Sequence, residues 1–186
     1  MTGYKRITFL KIFGARVHVH WSVFIVMGGI LMMSYRHPVL APITICSYLG
    51  ILLLHESGHA FVAGRLGYRS LDIYLGFLHG LCCFQAPETR KDEAIIAWGG
   101  VLAQFAVAIP LIVLAQTISL GDVPGMGPVV AFLGYLSALT AFVNLAPSRA
   151  LDGGKAWALF PILWAERRKP KKRGSVTKGP WSPRKD

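Results

Sequence analysis

Four long stretches of the chain are apolar enough, and long enough, to cross a lipid bilayer. Apart from Glu56, none of them contains Asp, Glu, Lys or Arg. A bilayer core needs about 20 helical residues per crossing. A soluble domain of this size would leave about 30% of its chain surface wet, and it could not hide so much apolar surface. The sequence therefore predicts an all-α integral membrane protein of about four transmembrane helices, near residues 17–35, 38–64, 94–120 and 127–148.

Composition supports a membrane protein and excludes other classes. Of the 186 residues, 53% are apolar and only 16% are charged, whereas soluble domains average about 25% charged residues. Three cysteines, two of them adjacent, cannot form a disulfide framework. The first apolar stretch has no small-residue cleavage pattern after it, so we expect it to be retained rather than removed as a signal peptide.

Positive charge is concentrated at the two ends of the chain and in the connection after the second apolar stretch. The formal net charge is +11, and residues 167–186 alone contain nine Lys or Arg and one Asp. Since cytoplasmic loops are enriched in Lys and Arg, this pattern predicts a multi-pass protein of the inner cell membrane with both termini cytoplasmic. We expect a membrane core at 1–166 and a disordered basic tail at 167–186.

Two shorter segments are predicted to contact the membrane without crossing it. Residues 71–87 are rich in aliphatic and aromatic side chains but are too short to span. A membrane-embedded hairpin there needs protein around it, or a wet cavity beside it, to satisfy its backbone. Residues 156–165 contain two tryptophans and are predicted to form a short C-terminal interfacial helix.

The second apolar stretch carries the sequence His55-Glu56-Ser57-Gly58-His59. Residues four apart lie on one face of a helix, so the two imidazoles can bind one zinc ion with the glutamate beside the open coordination position. Ionisable groups inside a membrane span are costly, and they are functional candidates by default. A polar interhelical cluster without metal is the alternative interpretation.

A zinc site needs a third protein ligand, and four carboxylates are candidates: Glu88, Asp92, Glu93 and Asp152. The first three lie in a charged loop and are expected to be solvated. Asp152 follows Pro147, which ends a regular helix, and precedes two glycines that permit an irregular path. Both His59 and Asp152 lie a few residues from positive charges, which places them at the same predicted depth. The sequence therefore favours Asp152.

The two motifs together resemble the site-2 proteases, which are intramembrane zinc metalloproteases. His55-Glu56-Ser57-Gly58-His59 lies in an early span, and Asn144, Pro147 and Leu151-Asp152-Gly153 follow in a later one. The resemblance covers most of residues 13–157. It implies a minimal core without the PDZ or CBS domains of other members.

The resemblance also implies a function and a set of roles. One Zn²⁺ per chain would be bound by His55, His59 and Asp152, with Glu56 as the catalytic carboxylate and Asn144 near the scissile carbonyl. The enzyme would be a zinc metalloendopeptidase that cleaves a single-span membrane protein inside the lipid bilayer, in a bacterial cell. No nucleic acid is expected as a partner. The alternative is an inactive pseudoprotease or a metal-binding membrane protein.

Some features of the sequence depart from the family pattern or stay without a role. Gly100 stands where the family usually has proline, and Gln104 where it usually has asparagine. We expect both changes to leave the zinc site alone. The roles of five further residues, the oligomeric state and the identity of the substrate are not predicted; these residues are His18, His20, His79, Cys82 and Cys83.

Overall fold

The computed structural model describes residues 3–77, 79–118, 120 and 123–168. The strands are β1 (Tyr4–Ile12), β2 (Ala15–His20), β3 (Ser70–Leu75) and β4 (Gly80–Phe84). The main helices are α1 (Trp21–Met33), α2 (Leu40–Arg65), α3 (Arg90–Thr117), α4 (Met126–Asn144), α5 (Gly153–Ala156) and α6 (Leu159–Arg168). Most of the predicted tail at 167–186 lies outside the described residues.

Three helices of the described chain are long and apolar enough to cross a membrane: α2, α3 and α4. They correspond to the second, third and fourth predicted spans. The first predicted span, 17–35, is not one continuous helix. Its first four residues belong to β2, and α1 has only 13 residues, which is about 20 Å of helix against a bilayer core of about 30 Å.

The strand at the start of that stretch has a simple physical cause. In β2, Ala15, Val17 and Val19 are buried, and they alternate with Arg16, His18 and His20. An apolar side chain at every second position suits a strand with one buried face, whereas a helix needs a period of 3.6. Counting apolar residues in a long window hides this alternation.

A four-stranded sheet contradicts the all-α prediction. The strand order is β1-β2-β3-β4. The pairs β1/β2 and β3/β4 are antiparallel, and β2 pairs with β3 in parallel. The second antiparallel pair is a hairpin at the position predicted for one, residues 71–87. Val17 and Ile73 lie on the fully buried face of the sheet, which packs in the same core as Tyr48 and Leu52 of α2.

The outward face of the sheet is polar and is fastened by an ion pair. The Arg16 guanidinium donates two hydrogen bonds of 2.8 and 2.9 Å to the Asp72 carboxylate. The His18 Nε2 lies 2.8 Å from the same carboxylate. Hydrogen bonding to Arg16 holds the pKa of Asp72 below its usual range. This pair joins β2 to β3 on the side away from the core.

Helices α2 and α3 approach each other closely at two glycines. A Cβ atom placed on Gly58 would meet the Gly99 carbonyl, and one placed on Gly99 would lie 2.6 Å from the Gly58 oxygen. Such small-residue contacts let helix backbones pack tightly when lipid gives no hydrophobic drive for association. The contact lies directly beside the histidines of α2, so it determines how near α3 comes to them.

This contact predicts opposite effects for the same substitution at two glycines of α2. We expect Gly58→Ala to destabilise the protein by about 1–3 kcal/mol, because the added methyl forces the helices apart. Gly64→Ala, where a Cβ meets nothing within 4 Å, should be neutral or stabilise by up to about 1 kcal/mol through helix propensity. Thermal unfolding of both variants in detergent measures the difference. Equal effects at the two positions would show that the helices do not pack through Gly58.

Candidate metal centre

Two histidines on consecutive turns of α2 bring their ring nitrogens together. His55 and His59 are four residues apart, and their Nε2 atoms lie 3.1 Å from each other. His59 is buried, with 6% of its surface exposed. The buried stripe of α2 includes Tyr48, Leu52, Glu56 and Ala60, so this face of the helix carries both the core contacts and the ionisable groups.

Asp152 reaches the two imidazoles from the loop that follows α4. Its Oδ2 lies 3.0 Å from the His55 Nε2 and 3.3 Å from the His59 Nε2. An aspartate carboxyl is ionised at neutral pH, so an anion lies beside the two rings.

The loop that carries Asp152 is fixed at both of its ends. The Trp157 indole donates a 2.6 Å hydrogen bond to the Leu145 carbonyl, which closes the loop on itself. The Trp98 indole of α3 donates a 3.0 Å bond to the Ala156 carbonyl. A Cβ on Gly153 would collide with the carbonyls of Leu145 and Ala146, so the residue after Asp152 has to be glycine.

The protonation of each imidazole follows from what its other nitrogen contacts. The His59 Nδ1 lies 2.8 Å from the Ile96 carbonyl, which can only accept, so this nitrogen carries the proton. The His55 Nδ1 lies 2.9 Å from the Gln104 Oε1. In this arrangement both Nε2 atoms are left with lone pairs that point toward each other and toward the carboxylate.

These donors fit a zinc ion. Two lone pairs and an anion at this separation repel one another unless a cation lies between them. Donors held about 2.0–2.2 Å from a tetrahedral zinc lie roughly 3.3–3.5 Å apart, close to the observed distances. Within the described residues, His55, His59 and Asp152 form the one cluster of three such side chains that could hold a metal ion.

Glu56 lies beside the donor set. Its side chain is 3% exposed and packs against the start of β4, where a Cβ on Gly80 would collide with the carboxylate. The residue at this point of the hairpin therefore has to lack a side chain if Glu56 is to keep its place. A carboxylate that lies next to a metal site without binding the ion is suited to proton transfer.

Asn144 ends α4 next to the same site. Its Nδ2 lies 3.4 Å from the His55 Nε2. The side chain therefore lies against His55 on the wall of a shared cavity.

A cavity of about 810 Å³ is lined by the two histidines, Glu56, Asn144 and Asp152. The strand β4 forms part of its wall with Gly80, Leu81 and Cys82, and His79 and Arg149 line it as well. The cavity lies beside α2, α3 and α4, and both polar and apolar side chains line it.

The structure separates the other candidate ligands from the histidines. Asp92 accepts a 2.8 Å hydrogen bond from the Tyr68 hydroxyl, and Glu93 forms an ion pair of 3.1 Å with Lys155. The Glu88 backbone donates to the Tyr68 hydroxyl. His18 and His20 lie on the outward face of the sheet. Burial raises the pKa of Cys82 to about 12, so its thiol is protonated at neutral pH when no metal is bound.

One expectation from the sequence is wrong: the departure at Gln104 does not leave the zinc site alone. Gln104 is 1% exposed and contacts His55 directly. Gly100 also lies against the site, because a Cβ there would come within 2.5 Å of the His59 Nε2. In the sequence, Gln104 stands out as an amide in an apolar span, which indicates a buried polar contact. Its spacing from other residues does not show that the contact is with His55.

Known proteins resemble this chain in sequence or in fold. Zinc metalloprotease Rip3 of Mycobacterium tuberculosis is 28% identical over 172 residues, 83% of this chain and 42% of Rip3. Zinc metalloprotease MJ0392 of Methanocaldococcus jannaschii is 25% identical over 151 residues, 80% of this chain and 43% of that protein. A solved site-2 protease from the same archaeon matches with a TM-score of 0.67 at 20% identity, over 89% of this chain and 73% of that one.

The chain is therefore similar in sequence to zinc metalloproteases and in fold to a site-2 protease. This confirms the resemblance that the two motifs predicted. No protein-family model matches the chain. The chain spans less than half the length of the two metalloproteases it matches.

The assignment of the third ligand can be tested on metal binding alone. We expect Asp152→Asn to weaken zinc binding at least tenfold, because a neutral amide replaces the anionic donor. Asp72→Asn is the matched control: it removes a partly buried, ion-paired aspartate on the sheet and should leave zinc affinity unchanged. Chelator competition on detergent-purified protein measures both. If Asp152→Asn binds zinc as tightly as the unchanged protein, Asp152 is not a ligand.

Proposed function

We propose that this chain is a member of the site-2 protease family and a zinc-dependent intramembrane endopeptidase. The observation that carries the proposal is the arrangement of the two histidines and Asp152, with Glu56 beside them, in a cavity among long apolar helices. The relatives named zinc metalloproteases and the solved site-2 protease support it. We assign one zinc ion per chain to this site.

The chain's own residues divide the work of peptide hydrolysis. Bound zinc would supply a Lewis acid and lower the pKa of a water molecule to about 7. Glu56 would accept a proton from the attacking water and deliver it to the nitrogen of the leaving amine. The Asn144 amide, through its N–H, would donate a hydrogen bond to the oxygen of the peptide carbonyl as negative charge develops there.

Strand β4 gives the substrate a place to bind in extended form. It is an edge strand of the described sheet, and it lines the same cavity as Glu56. A peptide segment that pairs with such an edge gains backbone hydrogen bonds that do not depend on its sequence. This supports a single-span membrane protein as the substrate, unwound locally before it is cleaved.

The bilayer is the proposed location of the reaction. Three helices are long and apolar enough to cross it, and positive charge flanks the ends of the apolar stretches. We keep the inner cell membrane, with both termini cytoplasmic, as the proposed topology. Since α1 is shorter than a full crossing, a reporter fused after residue 36 tests whether this first segment reaches the far side.

An inactive metal-binding membrane protein is the alternative function. It would share the zinc site and the fold. The buried Glu56 favours an enzyme, because a carboxylate that is held beside a metal without binding it has a use in proton transfer and none in metal retention.

Glu56→Gln separates the two functions. We expect this variant to bind zinc with an affinity close to that of the unchanged protein and to lose about 100- to 10,000-fold in cleavage rate, because the amide cannot accept the proton. Glu93→Gln, which alters another carboxylate on the cavity wall, is the control and should keep most activity. The assay uses a single-span substrate in detergent or liposomes. Normal cleavage by Glu56→Gln would contradict the mechanism.

A further inference from the structure

A buried amide on α3 connects one zinc-site histidine to another helix. The Gln104 side chain is enclosed between α2 and α4, with 1% of its surface exposed. Its Oε1 lies 2.9 Å from the His55 Nδ1, and its Nε2 lies 2.9 Å from the Thr140 Oγ1. The Thr140 hydroxyl lies 2.9 Å from the Ser137 carbonyl.

The Ser137 carbonyl, at the end of these three hydrogen bonds, determines which group donates in each of them. A carbonyl oxygen can only accept, so the Thr140 hydroxyl donates to Ser137. The Thr140 oxygen is then free to accept, and it takes a hydrogen from the Gln104 amide. This turns the Gln104 oxygen toward His55, so the His55 Nδ1 must be the donor and its Nε2 keeps the lone pair.

The two zinc-site histidines are therefore oriented in different ways. The partner of His59 is the Ile96 carbonyl, which belongs to the backbone and has one possible role. The partner of His55 is an amide whose oxygen and nitrogen are interchangeable by rotation. If the amide were reversed, its N–H₂ would face the His55 Nδ1, and the proton of the imidazole would move to the Nε2 that the metal needs.

We infer that Gln104 is a positioning residue for His55, and that Thr140 determines which way the Gln104 amide faces. The inference rests on the proposed zinc site and extends it to residues of α3 and α4 that are not metal ligands. Partners of this kind fix the tautomer and the ring orientation of a ligand, and their removal typically weakens metal binding 10–100-fold. A purely structural role, as a hydrogen bond between spans, is the competing explanation.

Three substitutions in the full chain distinguish these roles. Gln104→Leu removes the acceptor and keeps similar bulk. Gln104→Glu keeps an oxygen acceptor for the His55 Nδ1, and the Thr140 hydroxyl can turn to donate to it. Thr140→Val keeps the shape of the side chain but no longer fixes the amide.

The chain offers matched controls on α3 itself. The Gln116 amide donates a 2.6 Å hydrogen bond to the Tyr135 hydroxyl, between α3 and α4 but in an exposed position. The Thr117 hydroxyl donates to the Val113 carbonyl and is also exposed. Gln116→Leu and Thr117→Val therefore remove the same chemical groups away from the histidines.

The measurements are the zinc dissociation constant, by chelator competition in detergent, and the visible absorption spectrum of the cobalt-loaded protein. We expect Gln104→Leu to weaken zinc binding 10–100-fold and to alter the cobalt spectrum. Thr140→Val should weaken it about two- to tenfold, the worth of one net hydrogen bond. Gln104→Glu should stay within about threefold of the unchanged protein, as should both controls.

Several results would overturn the inference. Unchanged zinc affinity and spectrum in Gln104→Leu, with only a lower unfolding temperature, would show that the amide is a structural bond. An equal loss in Gln104→Glu and Gln104→Leu, or in Gln116→Leu, would show that acceptance from His55 is not the cause. If Gln104→Leu fails to fold, the pair Thr140→Val and Gln104→Glu decides between the same two outcomes.

The inference and the proposed function fail in different experiments. Zinc binding with the expected pattern, but no cleavage by the unchanged protein, would overturn the peptidase and leave the role of Gln104 intact. Normal cleavage, together with a zinc affinity that does not change when Gln104 is replaced, would support the peptidase and overturn the role of Gln104. A chain that binds no zinc would overturn both.

Discussion

Two imidazoles and a carboxylate held within 3.3 Å of one another are the arrangement on which the rest of this structure depends. In an apolar bundle such groups are expensive to bury unless their charges and lone pairs are satisfied. Every neighbouring element contributes to satisfying them. The Ile96 carbonyl and the Gln104 amide receive the outer ring protons, and Trp157 closes the loop that presents Asp152. A divalent cation is the remaining partner that this environment calls for.

Close packing of backbones makes that arrangement possible. The glycine contact between α2 and α3 brings α3 near enough for a main-chain carbonyl to reach His59. Glycine recurs at Gly80 beside Glu56 and at Gly153 beside Asp152 for the same reason, since a methyl group would occupy space that a functional side chain or its loop needs. Small residues around this site therefore have a steric role as definite as the chemical role of the residues they adjoin.

The sequence predicted the likeness to site-2 proteases, three of the long helices and the hairpin, because each has a local signature. The spacing of His55 and His59, and the break near Pro147, can be read from the residues alone. The sheet and the shortened α1 could not be predicted from long apolar windows, since the alternation in β2 spans only six residues. The contact between Gln104 and His55 joins residues 49 apart in sequence, and it depends on the rotation of α3 about its axis, which spacing does not reveal.

The parallel pairing of β2 with β3 has a consequence for the order of assembly. These strands are neighbours along the sheet but are separated by α1 and α2 in the chain, and Arg16 meets Asp72 across 56 residues. Closing a segment of this length costs chain entropy before the strands gain any contacts, so we expect this pairing to form slowly. We therefore expect the edge that borders the cavity to be completed late in folding, so that a partly folded chain does not offer a finished groove to its neighbours.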